Sequence, residues 1–218
     1  APEKPAIPEM APLAVDLAAD QGSRIEAMGV RVLVRGVRKG ASSYRAAMIC
    51  RADSPLTIDT LKGTRASWCD RDSVGGYLLP AALLRGKGLD PNKLFASQSF
   101  SGSYQASLEV LLRGEADVTS IFASGGKGPP TSGADELLPG RGHLVKVLAY
   151  TDESPNDGVA VSMHTPAELA MDLERVLLKL DETPEGAQIL KDTFSADRFE
   201  AAPRMGYRAL YRVALASL

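Results

Sequence analysis

Apolar positions along this chain follow two periods, alternation in short runs and three-to-four spacing in longer ones, and from Gly29 onward the two kinds of segment take turns. That order predicts an α/β fold with largely parallel strands. Residues 28–37, with Val30, Val32 and Val34 on one face, predict a strand, and residues 44–50 a second. A short helix closed by Gly63 is expected over 57–63. Residues 65–69 predict a strand ending at the acidic turn Asp70-Arg71-Asp72. A helix follows Ser73, with Leu79, Leu83 and Leu84 on its buried stripe and a kink at Pro80. Further on, 97–100 predicts a strand, 104–112 a helix stopped by Gly114, and 116–123 a buried strand. Residues 124–142, rich in Gly, Pro and Ser, predict a mobile loop. Strands are expected over 144–149 and 158–163, separated by the turn-forming run from Asp152 to Asp157. The last third predicts helices over 166–180, 184–190 and 204–215, each with a proline or acidic residue near its start. In the first of these, Leu169, Leu173, Val176, Leu177 and Leu180 fall at helical spacing and read as core or interface.

Composition narrows the function. At 218 residues and 44% hydrophobic content the chain can bury a sizeable core, as one large domain or two lobes. Twenty-five basic against 27 acidic residues leave a net charge of −2, so bulk charge draws it neither to nucleic acid nor to an anionic membrane. No apolar run reaches the roughly 20 residues of a membrane helix, which argues against direct membrane insertion. Cys50 and Cys69, each near the end of a predicted strand, fit either a disulfide or two buried thiols. Neither His143 nor His164 stands in a metal-ligand spacing or beside a nucleophile turn. Gly125-Gly126-Lys127-Gly128 lacks the spacing and the following hydroxyl of a phosphate loop. The pattern therefore predicts no catalytic residues, no metal and no cofactor.

The candidate chemistry lies at the strand-to-helix junction Asp70-Arg71-Asp72-Ser73-Val74-Gly75-Gly76-Tyr77. Ser73 is a favoured helix cap whose hydroxyl serves a first-turn amide or a ligand. Val74, Gly75 and Gly76 bring unpaired N–H groups and the positive end of a helix dipole to a place where side-chain bulk is small. A phosphate, phosphonate, sulfate or carboxylate suits such a junction. The plainer alternative is a capped helix whose glycines relieve crowding.

Several segments, taken in order, resemble one family: Ser43-Tyr44-Arg45-Ala46-Ala47, Asp53-Ser54-Pro55 with Leu61-Lys62-Gly63, Asp72 to Pro80, Gly102-Ser103-Tyr104-Gln105-Ala106-Ser107, Gly114-Glu115-Ala116-Asp117-Val118, Ser154-Pro155-Asn156-Asp157 and Leu180 to Gly186. They are similar to the phosphate, phosphite and phosphonate substrate-binding proteins of ABC importers. The resemblance implies a two-lobed clamshell of the periplasmic-binding-protein kind with C-terminal helices. Residues 1–44 with 157–218 would form lobe one and residues 45–156 lobe two. The ligand would be a small oxyanion, the partner a membrane permease, the location periplasmic or extracytoplasmic, and the hinges 42–44 and 154–158.

The implied ligand-binding residues are Tyr44, Ser73, Val74, Gly75, Gly76, Ser103, Tyr104 and Asp157. Departures from the family pattern matter as well. The family's Ser-Thr-Ser-Gly run is Ser73-Val74-Gly75-Gly76 in this chain, so two hydroxyl donors are missing, each worth about 1.5–3 kcal/mol toward a charged group. Tyr104 stands where the family often has histidine; it donates a hydrogen bond but carries no positive charge at neutral pH. Its alternative role is an aromatic packed on Phe100. Asp157 matches the residue that helps hold the amine of aminophosphonates, with a turn aspartate as the alternative, and no match exists for the second amine-binding carboxylate: residues 120–124 occupy that neighbourhood. The family's opening strand, helix and strand precede the point where this sequence starts, so lobe one is expected to be incomplete. A reduced binding-protein-like domain with a sensory or assembly role is the alternative function.

Overall fold

A computed structural model describes residues 30–202. The predicted helix over 204–215, the first two residues of the predicted 28–37 strand and the rest of residues 1–29 and 203–218 lie outside the described residues.

The central element is β2 (Ser43–Arg51), whose residues 46–50 are all fully buried. It is flanked by β5 (Thr119–Ser124) and β6 (Val145–Tyr150), and the short β7 (Ser154–Pro155) pairs with its first residues. All three pairings are antiparallel. A strand with neighbours on both edges and packing on both faces reads as a continuous apolar run, which is why Ala46-Ala47-Met48-Ile49-Cys50 shows no alternation. Beside this sheet, β3 (Arg65–Trp68) pairs in parallel with β4 (Ser97–Phe100), and Ala66 bridges in parallel to Val118 just before β5. A second sheet has the order β8-β1-β9, from β1 (Val30–Val37), β8 (Gly158–Ser162) and β9 (Arg198–Ala201), again antiparallel throughout.

The expectation of largely parallel strands is therefore corrected. Among the described residues parallel pairing is confined to β3, β4 and the Val118 bridge. Alternation of strands and helices along a chain sets which elements are neighbours in sequence, but the β2 partners arrive from long excursions and run the other way. The strand β9 was not foreseen either: four residues with one buried apolar side chain, Phe199, carry too little periodicity. In β1 a register shift between Val32 and Val34 buries both Leu33 and Val34, so the simple alternation over Val30, Val32 and Val34 does not hold.

Helices cover the sheets. A π-helical turn (Val74–Leu78) runs directly into α1 (Leu79–Gly86); α2 (Pro91–Leu94), α3 (Tyr104–Leu112), α4 (Ala134–Leu137), α5 (Ala167–Leu177) and α6 (Pro184–Phe194) follow. The helix expected over 57–63 is a single 3-10 turn, Ile58–Thr60. Within residues 124–142, expected to be a mobile loop, Ser124 N–H donates to Thr131 O, Gly133 N–H donates to Phe122 O, and α4 forms a short helix. Gly133 is required there, since a Cβ would lie 2.3 Å from the Phe122 ring. Two apolar clusters pack on the β2 sheet, one around Ile49, Leu108, Leu111 and Ile121 and the other around Met48, Trp68, Leu84 and Val118. A separate cluster of Leu33, Val34, Ala170, Leu190 and Phe199 packs on the β1 sheet. Of the predicted stripe on α5, Leu177 reaches that cluster while Leu169, Leu173 and Val176 stay exposed, because Ala170 is the residue that faces β1. This is a two-lobed α/β fold.

Candidate functional site

Between the two sets of clusters lies a small one that joins them, with Val32 and Ala202 from the β1 side meeting Tyr44, Ala46, Val74, Leu78 and Leu79. The helix start at Ser73 sits here. Trp68 and Cys69, at the end of β3, accept hydrogen bonds from Ser101 and Gly102 N–H at 2.9 and 2.7 Å. The two strand-to-helix junctions, 69–74 and 101–104, are thereby fastened side by side. Above them Arg71 lies over the Phe100 ring, 4.5 Å from its centroid.

Ser73 caps the turn as predicted, and its hydroxyl accepts from Gly76 N–H at 3.1 Å. Its carbonyl accepts from Tyr77 and Leu78 N–H. Among the described residues no acceptor meets the amides of Val74 and Gly75. The turn is π-helical, with Leu79 N–H donating to Val74 O. In that register residue 80 would serve Gly75 O, but Pro80 has no N–H, and the buried Ser120 hydroxyl donates to Gly75 O at 2.8 Å instead. A wider first turn and a buried side-chain donor are how the chain accommodates a proline so close to the helix start.

The two glycines do different work. A Cβ on Gly76 would lie 2.4 Å from Cys69 Cβ and 2.7 Å from Ser73 Oγ, so Gly76 lets the turn close on its own strand. A Cβ on Gly75 would lie 2.7 Å from the Tyr104 hydroxyl and 3.1 Å from Tyr44 Cε2. Tyr44, Gly75 and Tyr104, distant in sequence, thus converge on one spot. The Tyr104 ring meets Phe122 edge-on at 5.8 Å, and Phe100 pairs with Tyr77. Ser103 caps α3, accepting from Ala106 N–H at 3.1 Å. Both cysteines are free thiols, and burial pushes each thiol up from its ordinary pKa.

Asp157 is the eighth predicted residue, and its carboxylate is already held. Arg38 donates from its two Nη atoms to both Asp157 oxygens at 2.7 Å, while its Nε and Nη2 donate to Phe194 O. The hydrogen bonds it donates to Asp157 raise the guanidinium pKa against the opposing effect of burial, and the Tyr44 phenol adds to the rise. Burial alone would raise the Asp157 carboxyl, but Arg38 holds it below its ordinary range. Close by, Glu153 is kept low first by the Ser43 hydroxyl and then, against burial, by the Arg45 charge and Gly126 N–H. The buried Asn156 amide donates to Gly36 O and Ala41 O, tying the two connections between the sheets together. Sequence reasoning missed Arg38, Ser120 and Asn156, since nothing local distinguishes them from other polar residues.

These depressed carboxyls set the acid behaviour. A carboxyl whose pKa is lower folded than unfolded contributes stability above its unfolded value, about 4, and loses it as the pH falls through the folded value. The thermal midpoint is expected to be flat near neutrality and to drop below about pH 4. Calorimetric scans across that range check it; a flat midpoint down to about pH 2 would mean that the pairs carry no net stability.

A scan against family models matches residues 21–207 to the ABC transporter phosphonate periplasmic substrate-binding proteins, and the chain belongs to that family. It is a binding protein rather than an enzyme, of a class that takes a small ligand and works with a permease. Solved structures share the fold. XAC2383 from Xanthomonas citri, solved bound to ATP, matches with a TM-score of 0.76 and 18% identity over 92% of this chain and 75% of its own. PA3383 from Pseudomonas aeruginosa, a binding protein component of an ABC phosphonate transporter, gives 0.69 and 19% over 88% and 64%. PhnD1 from Prochlorococcus marinus, in complex with methylphosphonate, gives 0.64 and 20% over 92% and 82%. No helix among the described residues is long and apolar enough to cross a membrane.

Proposed function

We propose that the chain binds a small tetrahedral oxyanion of the phosphate, phosphite or phosphonate class and delivers it to an ABC permease on the extracytoplasmic side of a membrane. One observation carries the reading: the phenols of Tyr44 and Tyr104 meet at Gly75, on the helix turn where the Val74 and Gly75 amides find no acceptor among the described residues. Donors fixed on rigid elements and backed by a helix dipole favour a compact anion. Ser73, Gly76 and Ser103 support the site by capping and by closing the turn, and Asp157, paired with Arg38, lies on the second crossover. The family match and the methylphosphonate held by PhnD1 agree with this class of ligand.

The division into 1–44 with 157–218 and 45–156 suits this function. The apolar clusters fall on either side of it, and the crossovers at 42–44 and 154–158 run between them. A ligand that contacts both lobes favours the closed form by its differential affinity, and the permease reads that form. Titration calorimetry with methylphosphonate, phosphite and phosphate is expected to give saturable one-site binding to at least one. Absence of heat with all three would defeat the proposal and favour the assembly role.

A further inference from the structure

We infer that Ser120 is a positioning residue of the anion site: its buried hydroxyl holds Gly75 O, keeps the turn after Ser73 in its wide register and so aims the Val74 and Gly75 amides. The inference rests on the site proposed above.

Ser120 is the second residue of β5, fully buried and opposite Met48 of β2. A buried hydroxyl costs free energy unless it is hydrogen-bonded, and this one donates to Gly75 O at 2.8 Å, 45 positions away in the chain. Two registers are open to the backbone between Ser73 and Pro80. In the α-helical one Leu79 N–H would serve Gly75 O, four residues back. In the observed π-helical one Leu79 N–H serves Val74 O, five residues back, and Gly75 O is left to residue 80. The turn stands at the boundary of the two, since Ser73 O accepts both from Tyr77 N–H at 2.9 Å and from Leu78 N–H at 3.0 Å. Pro80 has no N–H, so the wide register strands a buried carbonyl unless a donor comes from elsewhere. Ser120 is that donor, and with Gly75 O satisfied Leu79 stays on Val74.

The register decides where the free amides point. A peptide unit is planar, so fixing its carbonyl fixes the N–H on its other side. The Leu79 bond to Val74 O thereby sets the direction of Gly75 N–H. The next peptide is pinned at both ends, by Ser120 on Gly75 O and by Ser73 Oγ on Gly76 N–H. A slip to the α-helical register would rotate these planes and carry Gly75 off the spot where a Cβ would lie 2.7 Å from the Tyr104 hydroxyl and 3.1 Å from Tyr44 Cε2. Ser120 acts through the turn and not on the ligand, because its hydroxyl hydrogen is engaged by Gly75 O.

The test compares two pairs on the full chain, wild type with Ser120→Ala and Ser120→Thr with Ser120→Val, each titrated calorimetrically with methylphosphonate, phosphite and phosphate. The first pair differs by one oxygen; in the second the shape is kept while a methyl replaces the hydroxyl, so overpacking cancels in the ratio. For an anion that the wild type binds, affinity is expected to fall about tenfold or more from Ser to Ala, and to be about tenfold or more weaker in the valine than in the threonine variant. The register itself is read by nuclear magnetic resonance as the coupling across the hydrogen bond of the Leu79 amide nitrogen. That coupling is expected to reach the Val74 carbonyl carbon in the wild type and the Gly75 carbonyl carbon in Ser120→Ala. Wild-type affinity in Ser120→Ala overturns the inference, whatever happens to its unfolding midpoint, and leaves the oxyanion reading intact. So does a weakened Ser120→Ala whose Leu79 amide stays coupled to Val74, since the hydroxyl would then support packing and not the register. Where Ser120→Ala fails to fold, the threonine and valine pair decides by the same ratio. A wild type that binds none of the three anions overturns the oxyanion reading and this inference together.

Discussion

Replacing Gly75 with valine is expected to lower affinity for methylphosphonate at least a hundredfold while the protein still unfolds as a cooperative unit. The physical cause is local. The new Cβ would sit 2.7 Å from the Tyr104 hydroxyl and 3.1 Å from Tyr44 Cε2, and the two methyls beyond it would fill the spot where the phenols converge. Tyr104 can withdraw only by giving up its edge-on contact with Phe122, and Tyr44 is held in β2 between Ser124 and Ser154. Two hydrogen bonds to a charged ligand, each worth about 1.5–3 kcal/mol, are put out of reach, which corresponds to a loss of about 10²–10⁴ in affinity. The fold tolerates the change better than it would at Gly76, because what a Gly75 side chain meets is the far end of two aromatic rings and not the Cβ of Cys69 just after β3. Calorimetric titration gives the affinity and a denaturant curve the stability. Wild-type affinity in the valine variant would show that the ligand does not approach this turn.

The contrast between the two glycines shows where sequence reading reaches its limit. Ser73 as a helix cap was legible, because capping depends on residues three apart and on a side chain with few alternatives. Gly114 stops its helix as read, and Ser103 and Thr183, which were not read as caps, follow the same local grammar, accepting from the amides of Ala106 and Gly186. The direction in which each glycine opens was not legible, since it depends on Tyr104 and Tyr44, which β2 and α3 bring in from elsewhere in the chain. The order of strands was readable from the apolar runs, but their pairing sense was not: β2 takes antiparallel partners from residues 70 or more positions away. Arg38 is one of 25 basic residues and carries no local mark. Its role exists only because β1 and β8 run side by side and set residue 38 against residue 157. Leu169 and Leu173, read as core or interface, lie outside the core, since their helical spacing is real but the sheet is met by Ala170 and Leu177 on the neighbouring stripe. Tyr44 and Tyr104 entered through family resemblance, and their meeting at Gly75 is a fact of packing that spacing alone does not contain.

Trp68→Ala is expected to cost about 3–5 kcal/mol of stability, a large part of the roughly 5–15 kcal/mol that a domain has in all. Trp68 is fully buried, lies 5.7 Å from the Tyr77 ring and 5.6 Å from the Phe95 ring, and donates its indole N–H to Gln98 Oε1 at 2.8 Å. Truncation leaves a cavity on one side and an unpaired, part-buried amide oxygen on the other, and both act in the same direction. The effect is expected to spread to the site. Trp68 is the last residue of β3, its carbonyl holds Ser101 N–H, and Tyr77, tilted against its ring, belongs to the very turn that carries Gly75. Loss of the indole therefore frees the floor beneath both helix starts, and ligand affinity should fall together with stability. As Trp68 is the only tryptophan, the denaturation midpoint has to be followed by circular dichroism, because the variant has no indole fluorescence. A loss below about 1 kcal/mol would mean that Tyr77, Phe95 and Phe100 close over the gap, and that the aromatic cluster rather than this one ring supports the turn.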